Sequence, residues 1–102
     1  MNRNYVDWLA AAKDDLDTVV LLLAQSHLSN ILSFHAHQCV EKSLKAVIEK
    51  YSTEPQKTHN LERLYSHVEK FVQLHIDELM LEKVSELYIE SRYPGDLGLL
   101  PN

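Results

Sequence analysis

An all-α fold, an antiparallel up-and-down bundle of four main helices, is predicted from three features of the sequence. Only two glycines and three prolines occur in 102 residues, leaving little material for tight hairpin turns. Leucine, glutamate, lysine and alanine, all good helix formers, are abundant. Apolar residues recur at helical spacing between sparse breaks at "QSHLS" (25–29), "STEPQKT" (52–58), "LHID" (74–77) and "RYPGD" from 92.

The first helix is expected over about 4–25, where Trp8, Ala11, Ala12, Leu16, Val19 and Leu23 form one apolar stripe. The second is expected over about 28–51. Pro55 disfavours helical geometry at Glu54, and Thr58 is the expected N-cap of a third helix over about 59–72, with apolar Leu61, Leu64, Val68 and Phe71. A fourth is expected over about 76–91, stopped by Pro94 and Gly95. Short connections between such helices favour antiparallel neighbours. One small domain results, residues 1–102, with a core over about 4–94 and a tail of 95–102, because a chain of 11.8 kDa supports a single core.

Composition excludes several classes. The one cysteine, Cys39, allows no intramolecular disulfide, and "MNRNYVDWLAAAKDD" lacks the apolar core of a secretion signal, so a cytoplasmic protein is expected. The longest apolar run, within "TVVLLLA", falls far short of the roughly 18 residues that span a bilayer, so no membrane partner is expected. A net charge of −5 argues against a generic nucleic-acid coat. The charge is uneven, however: residues 41–70 hold six basic and five acidic side chains, the only net-positive part of the chain.

That part overlaps "SFHAHQCVEKSLKAVIEKY" (33–51). At about 100° per residue, Ala36, Val40, Ser43, Leu44, Val47 and Tyr51 gather on an expected core face. His35, Gln38, Lys42, Lys45 and Glu49 form a continuous polar stripe opposite, which reads as a solvated face or as the lining of a site. His35 and His37 are two apart, about 200° around a helix, and do not form the i, i+4 pair that grips a metal. A di-iron bundle needs Glu-x-x-His, and no glutamate here has a histidine three residues later. No metal and no cofactor is expected. Cys39 is assigned no chemistry, since a free cysteine more often packs as a small hydrophobe.

The blocks "FHAHQCVEKSLKAVIEK", "KTHNLERL" (57–64) and "YIESRYP" (88–94), preceded by Trp8, Ala12 and "DL" at 15–16, resemble the HEPN family of small helical-bundle nucleotide-binding domains, over roughly residues 8–94. The resemblance implies a dimerising bundle with a polar cleft for nucleotides or RNA, often paired with a minimal nucleotidyltransferase, sometimes as toxin and antitoxin. The matching positions are His35, Gln38, Glu41, Lys42 and Lys45, then Thr58 and His59, then Arg92, Tyr93 and Pro94. Of these, His35, Gln38, Lys42, Lys45, His59, Arg92 and Tyr93 form the expected ligand-binding set. Lysines meet phosphate as point charges and arginine as a bidentate fork, while Thr58 and His59 open a helix whose N–H groups favour an anion.

Ribonucleases of this family carry an arginine and a following histidine separated by four to six residues. The residues following Arg92 at that interval are Leu97, Gly98 and Leu99, none able to move a proton. Arg63 and His67 come near that pattern but are separated by three residues inside the third helix. Binding is therefore expected before cleavage, with a ribonuclease toxin as the alternative and a plain interaction scaffold as a second, and no catalytic residue is assigned. Leu97, Leu99 and Leu100 form an apolar tail expected to dock on the bundle or on another chain. Glu78, Glu82, Glu86 and Glu90 repeat every four residues, a solvated acidic face or a docking strip for a basic partner such as a nucleotidyltransferase subunit. Homodimerisation through an apolar helix face is also expected.

Overall fold

A computed structural model of the chain describes residues 4–23, 29–52 and 56–92. Within them lie four helices: α1 (Asn4–Leu22), α2 (Ser29–Tyr51), α3 (Leu61–Val68) and α4 (Glu78–Arg92), with no strand among the described residues. The all-α helical bundle is as the sequence predicts.

The longest helix, α2, packs against each of the other three, and α3 also packs on α4. Cross-helix pairs set the directions. Asp15 of α1 meets His35 and Lys42, Trp8 meets Lys45 and Tyr5 meets Lys50, so α1 runs antiparallel to α2. Tyr88 of α4 stacks on His37, while Met80 and Val84 lie beside Val40 and Val47, so α4 is antiparallel to α2 as well. The segment after α2 returns along that helix, bringing His59 back to Glu41.

Leu44 and Ile48 of α2, Leu61, Leu64, Tyr65 and Val68 of α3, and Leu81 of α4 form the buried core. Fully burying each such aliphatic side chain contributes about 1.5–3 kcal/mol. Val72, Leu74 and Ile76 of the α3–α4 connection pack against it. Tyr65 pins that connection: its hydroxyl donates to the Leu74 carbonyl at 2.8 Å and accepts from the Ile76 N–H at 3.4 Å.

Helix ends depart from expectation at α3. Its N-cap is Asn60, whose side chain accepts from the Arg63 N–H at 2.8 Å with extended backbone at φ −81°, ψ 116°. Thr58 instead accepts from the Asn60 N–H at 3.1 Å, fixing the approach to the helix without capping it. Shorter than expected, α3 leaves Phe71 in the turn beyond it, partly exposed and stacked on Tyr51. Asp77 opens α4, accepting from the Leu79 N–H at 2.9 Å. Pro94, Gly95 and the leucine tail lie outside the described residues.

The expected stripe on α1 is also corrected. Ala12 is buried, but Leu16 and Leu23 are exposed, and Asp15 is buried in their place. On α2 the expected core face holds at Leu44, whereas Tyr51 is half exposed and the charged Lys45 is buried.

Candidate functional site

The polar stripe of α2 is not a solvated face, because α1 and the start of α3 cover it. Two buried carboxylates collect its cations. Asp15, 6% exposed, holds His35 Nδ1 at 2.8 Å through Oδ1 and the Lys42 ammonium at 2.8 Å from Oδ2. Burial raises the Asp15 pKa, but Lys42 and His35 outweigh it and hold the carboxyl below its ordinary value. His35 and Lys42, two of the expected binding residues, thus lock α1 to α2. Gln38 is half-buried between them on the helix.

Glu41, 3% exposed, organises the second cluster. Its Oε2 accepts from Lys45 Nζ at 2.9 Å and from His59 Nδ1 at 2.7 Å. Both bonds outweigh the upward push of burial and keep Glu41 ionised below the usual carboxylate range. Lys45, itself 5% exposed, lies 5.3 Å from the Trp8 ring centroid, a cation–π contact from α1. Its ammonium is therefore committed inside the protein, contrary to its expected place on an open face. His59 is otherwise open, with 70% of its side chain exposed at the threshold of α3.

His37, which the sequence offered only as a poor metal partner for His35, is the buried histidine of the site. It is 2% exposed and stacks on Tyr88 with ring centroids 3.9 Å apart and planes at 17°. Phe34 stacks on the same tyrosine at 5.9 Å. His37 Nδ1 lies 3.5 Å from Glu41 Oε1, and neither atom has a hydrogen-bond partner among the described residues. Burial lowers the His37 pKa more than Glu41 raises it, so the ring is held neutral.

These groups surround a cavity of about 140 Å³ between α2, the start of α3 and α4, lined by His37, His59, Asn60, Ser85, Tyr88 and Ile89. Ser85 Oγ donates to Glu62 Oε1 at 3.3 Å. Of the expected binding residues, Lys45 and His59 meet here through Glu41. Arg92 is the last residue of α4, four positions beyond Tyr88, and Tyr93 lies outside the described residues. The i, i+4 series His37, Glu41, Lys45 was the signal for this cluster in the sequence.

Cys39 faces elsewhere. It lines an apolar groove of about 270 Å³ with Val40, Val47, Ile76, Met80 and Val84. Burial, aided by Asp15, pushes its thiol pKa up, which disfavours the reactive thiolate. Among the described residues no three His, Cys, Asp or Glu side chains are placed to hold a metal ion, and no helix is long and apolar enough to cross a membrane.

No curated protein and no solved structure gives a match to the chain. The family model of the HEPN domain matches residues 5–98.

Proposed function

Because the chain belongs to the HEPN family, we propose that it is a nucleotide- or RNA-phosphate-binding module, acting as the non-catalytic partner of a minimal nucleotidyltransferase in a toxin–antitoxin-type pair. The observation that carries the binding reading is His59. Its Nδ1 is taken by the buried Glu41, which fixes the ring and leaves its exposed part at the N-terminus of α3, beside a cavity with a polar rim. Helix N-termini favour anions, and a ring held in place loses little freedom on binding. Lys45 neutralises Glu41 from behind, so a phosphate at His59 does not face an uncompensated carboxylate. Arg92 and Tyr93, following Tyr88 on the chain, are the proposed contacts from the α4 end, and Lys42 keeps a quarter of its side chain exposed for an approaching anion.

Two surfaces support the proposed assembly. The 270 Å³ groove and a second one of about 290 Å³ share Val47 and Leu74, and the second reaches Leu9 of α1, where Leu16 and Val20 are also exposed. An apolar face of this kind suits a second copy of the chain. Glu78, Glu82, Glu86 and Glu90 are all exposed along α4, which suits a basic partner such as the nucleotidyltransferase. We place the protein in the cytoplasm.

One geometric feature favours the ribonuclease alternative: a histidine oriented by a buried carboxylate is the arrangement of a general base. The test is incubation of metal-free protein with a tRNA and a mixed-sequence RNA, read for both retention and cleavage. Retention of intact RNA by wild type, weakened in His59→Ala and Arg92→Ala, is the expected result. Cleavage in wild type that disappears in both variants would overturn the binding reading and make His59 a catalytic residue.

A further inference from the structure

The cavity beside His59 has a size and a lining that say what part of a nucleotide it takes. At about 140 Å³ it is close to the ~150 Å³ of a protein cavity that admits a single benzene ring. Its wall is aromatic and apolar, the stacked His37–Tyr88 pair and Ile89, and its rim is polar, with Asn60, Ser85 and His59. Asn60 spends its Oδ1 on the Arg63 N–H, which leaves the amide Nδ2 as a donor. Ser85 spends its proton on Glu62, which leaves its oxygen as an acceptor. One fixed donor and one fixed acceptor beside an aromatic wall match the edge of a heterocyclic base. They do not match phosphate, because no lysine or arginine is among the residues that line the cavity.

Resting on the nucleotide-binding reading above, we propose that this cavity is a pocket for one pyrimidine base, with the phosphate held outside it at His59 and the first turn of α3. The lined space takes one ring, so the second ring of a purine would lie at the open mouth, outside the aromatic wall. The donor–acceptor pair reads the base edge, as proteins do for unstacked bases in single-stranded RNA. A free nucleotide and a single-stranded RNA share this chemistry, and the test separates them.

Two substitutions probe the pocket without touching the core. Ile89→Trp fills it from a side chain that is 53% exposed. Asn60→Asp keeps an N-cap acceptor for α3 but replaces the amide donor, so it alters recognition and spares the helix. The probes are cytidine, uridine, guanosine, ribose 5-phosphate and a short oligocytidylate, titrated by calorimetry against the full chain. The uncharged pyrimidine nucleosides are expected to bind with affinities that hardly change between about 50 and about 200 mM salt. Guanosine is expected to bind about tenfold more weakly, and each variant to lose about tenfold for cytidine. Oligocytidylate binding tighter than that of the nucleoside, with a steep salt dependence, identifies RNA as the source of the base; equal binding identifies the mononucleotide. Ribose 5-phosphate binding without any nucleoside binding would overturn the base pocket and leave the phosphate site standing. Cytidine binding that neither variant changes, or a preference for guanosine, would also overturn it. Failure of every probe would overturn both readings.

Discussion

Glu41 and His59, eighteen residues apart in sequence, meet at 2.7 Å, and this one bond closes the segment after α2 onto the middle of that helix. The same carboxylate oxygen holds Lys45 at 2.9 Å. Glu41 is thus both the counter-ion of a buried lysine and the fixture that sets the exposed histidine of the site. Structure and binding share a residue, and their contributions can be separated by experiment.

Replacing Glu41 by Gln preserves shape and leaves the Lys45 ammonium, 5% exposed, without its counter-charge. Breaking a buried pair from one side costs about 3–5 kcal/mol, whereas replacing both partners with well-packed neutral groups is often nearly neutral. Urea denaturation is expected to show that loss for Glu41→Gln and recovery of most of it in Glu41→Gln with Lys45→Met. A loss below about 1 kcal/mol in the single variant would mean the pair is not buried as described.

The pH dependence of stability should fall in two steps on acidification. His37 has its folded pKa lowered from 6.5, so the unfolded chain binds the proton more readily; its stability contribution is present above 6.5 and is lost as pH falls through the lower folded value. Glu41 and Asp15 have folded values lowered from 4.5 and 3.8, so their contributions are present above those values and are lost as pH falls through the folded ones. Thermal melts across that range should show both steps, and His37→Gln should remove the upper one. A melting temperature that rises on acidification from 6.5 would refute the assignment.

Sedimentation should report a dimer of about twice 11.8 kDa. Leu16→Glu, at a side chain 49% exposed on α1, should convert it to monomer without unfolding it. A wild-type monomer at micromolar protein would contradict the assembly.

The helices were legible in the sequence because their apolar spacing and breakers agree, and Leu44, Leu61, Leu64 and Val68 sit in the core as that spacing requires. The polar stripe of α2 was legible as a stripe, but its environment was not. A helical wheel gives the face of Lys42 and Lys45 and says nothing of what covers it. The cover is α1, and the residues that make it tolerable are Asp15, a charge inside a stripe read as apolar, for Lys42 and Glu41 for Lys45. The cap of α3 moved from Thr58 to Asn60 because both residue types cap well and only the chain path distinguishes them. His37 was overlooked because histidine is weighed by its ligand spacing; its value here comes from stacking on Tyr88, fifty-one positions away.

The measurement that tests the site most directly is amide chemical-shift mapping of the protein while cytidine monophosphate is added. The account predicts shifts concentrated at His59, Asn60, Leu61, Glu62 and Ser85, with those at His59 and the first turn of α3 weakened by salt and by His59→Ala. Shifts confined to another surface, such as the Lys50 and Lys70 end of the bundle, or no shifts at saturating nucleotide, would contradict it.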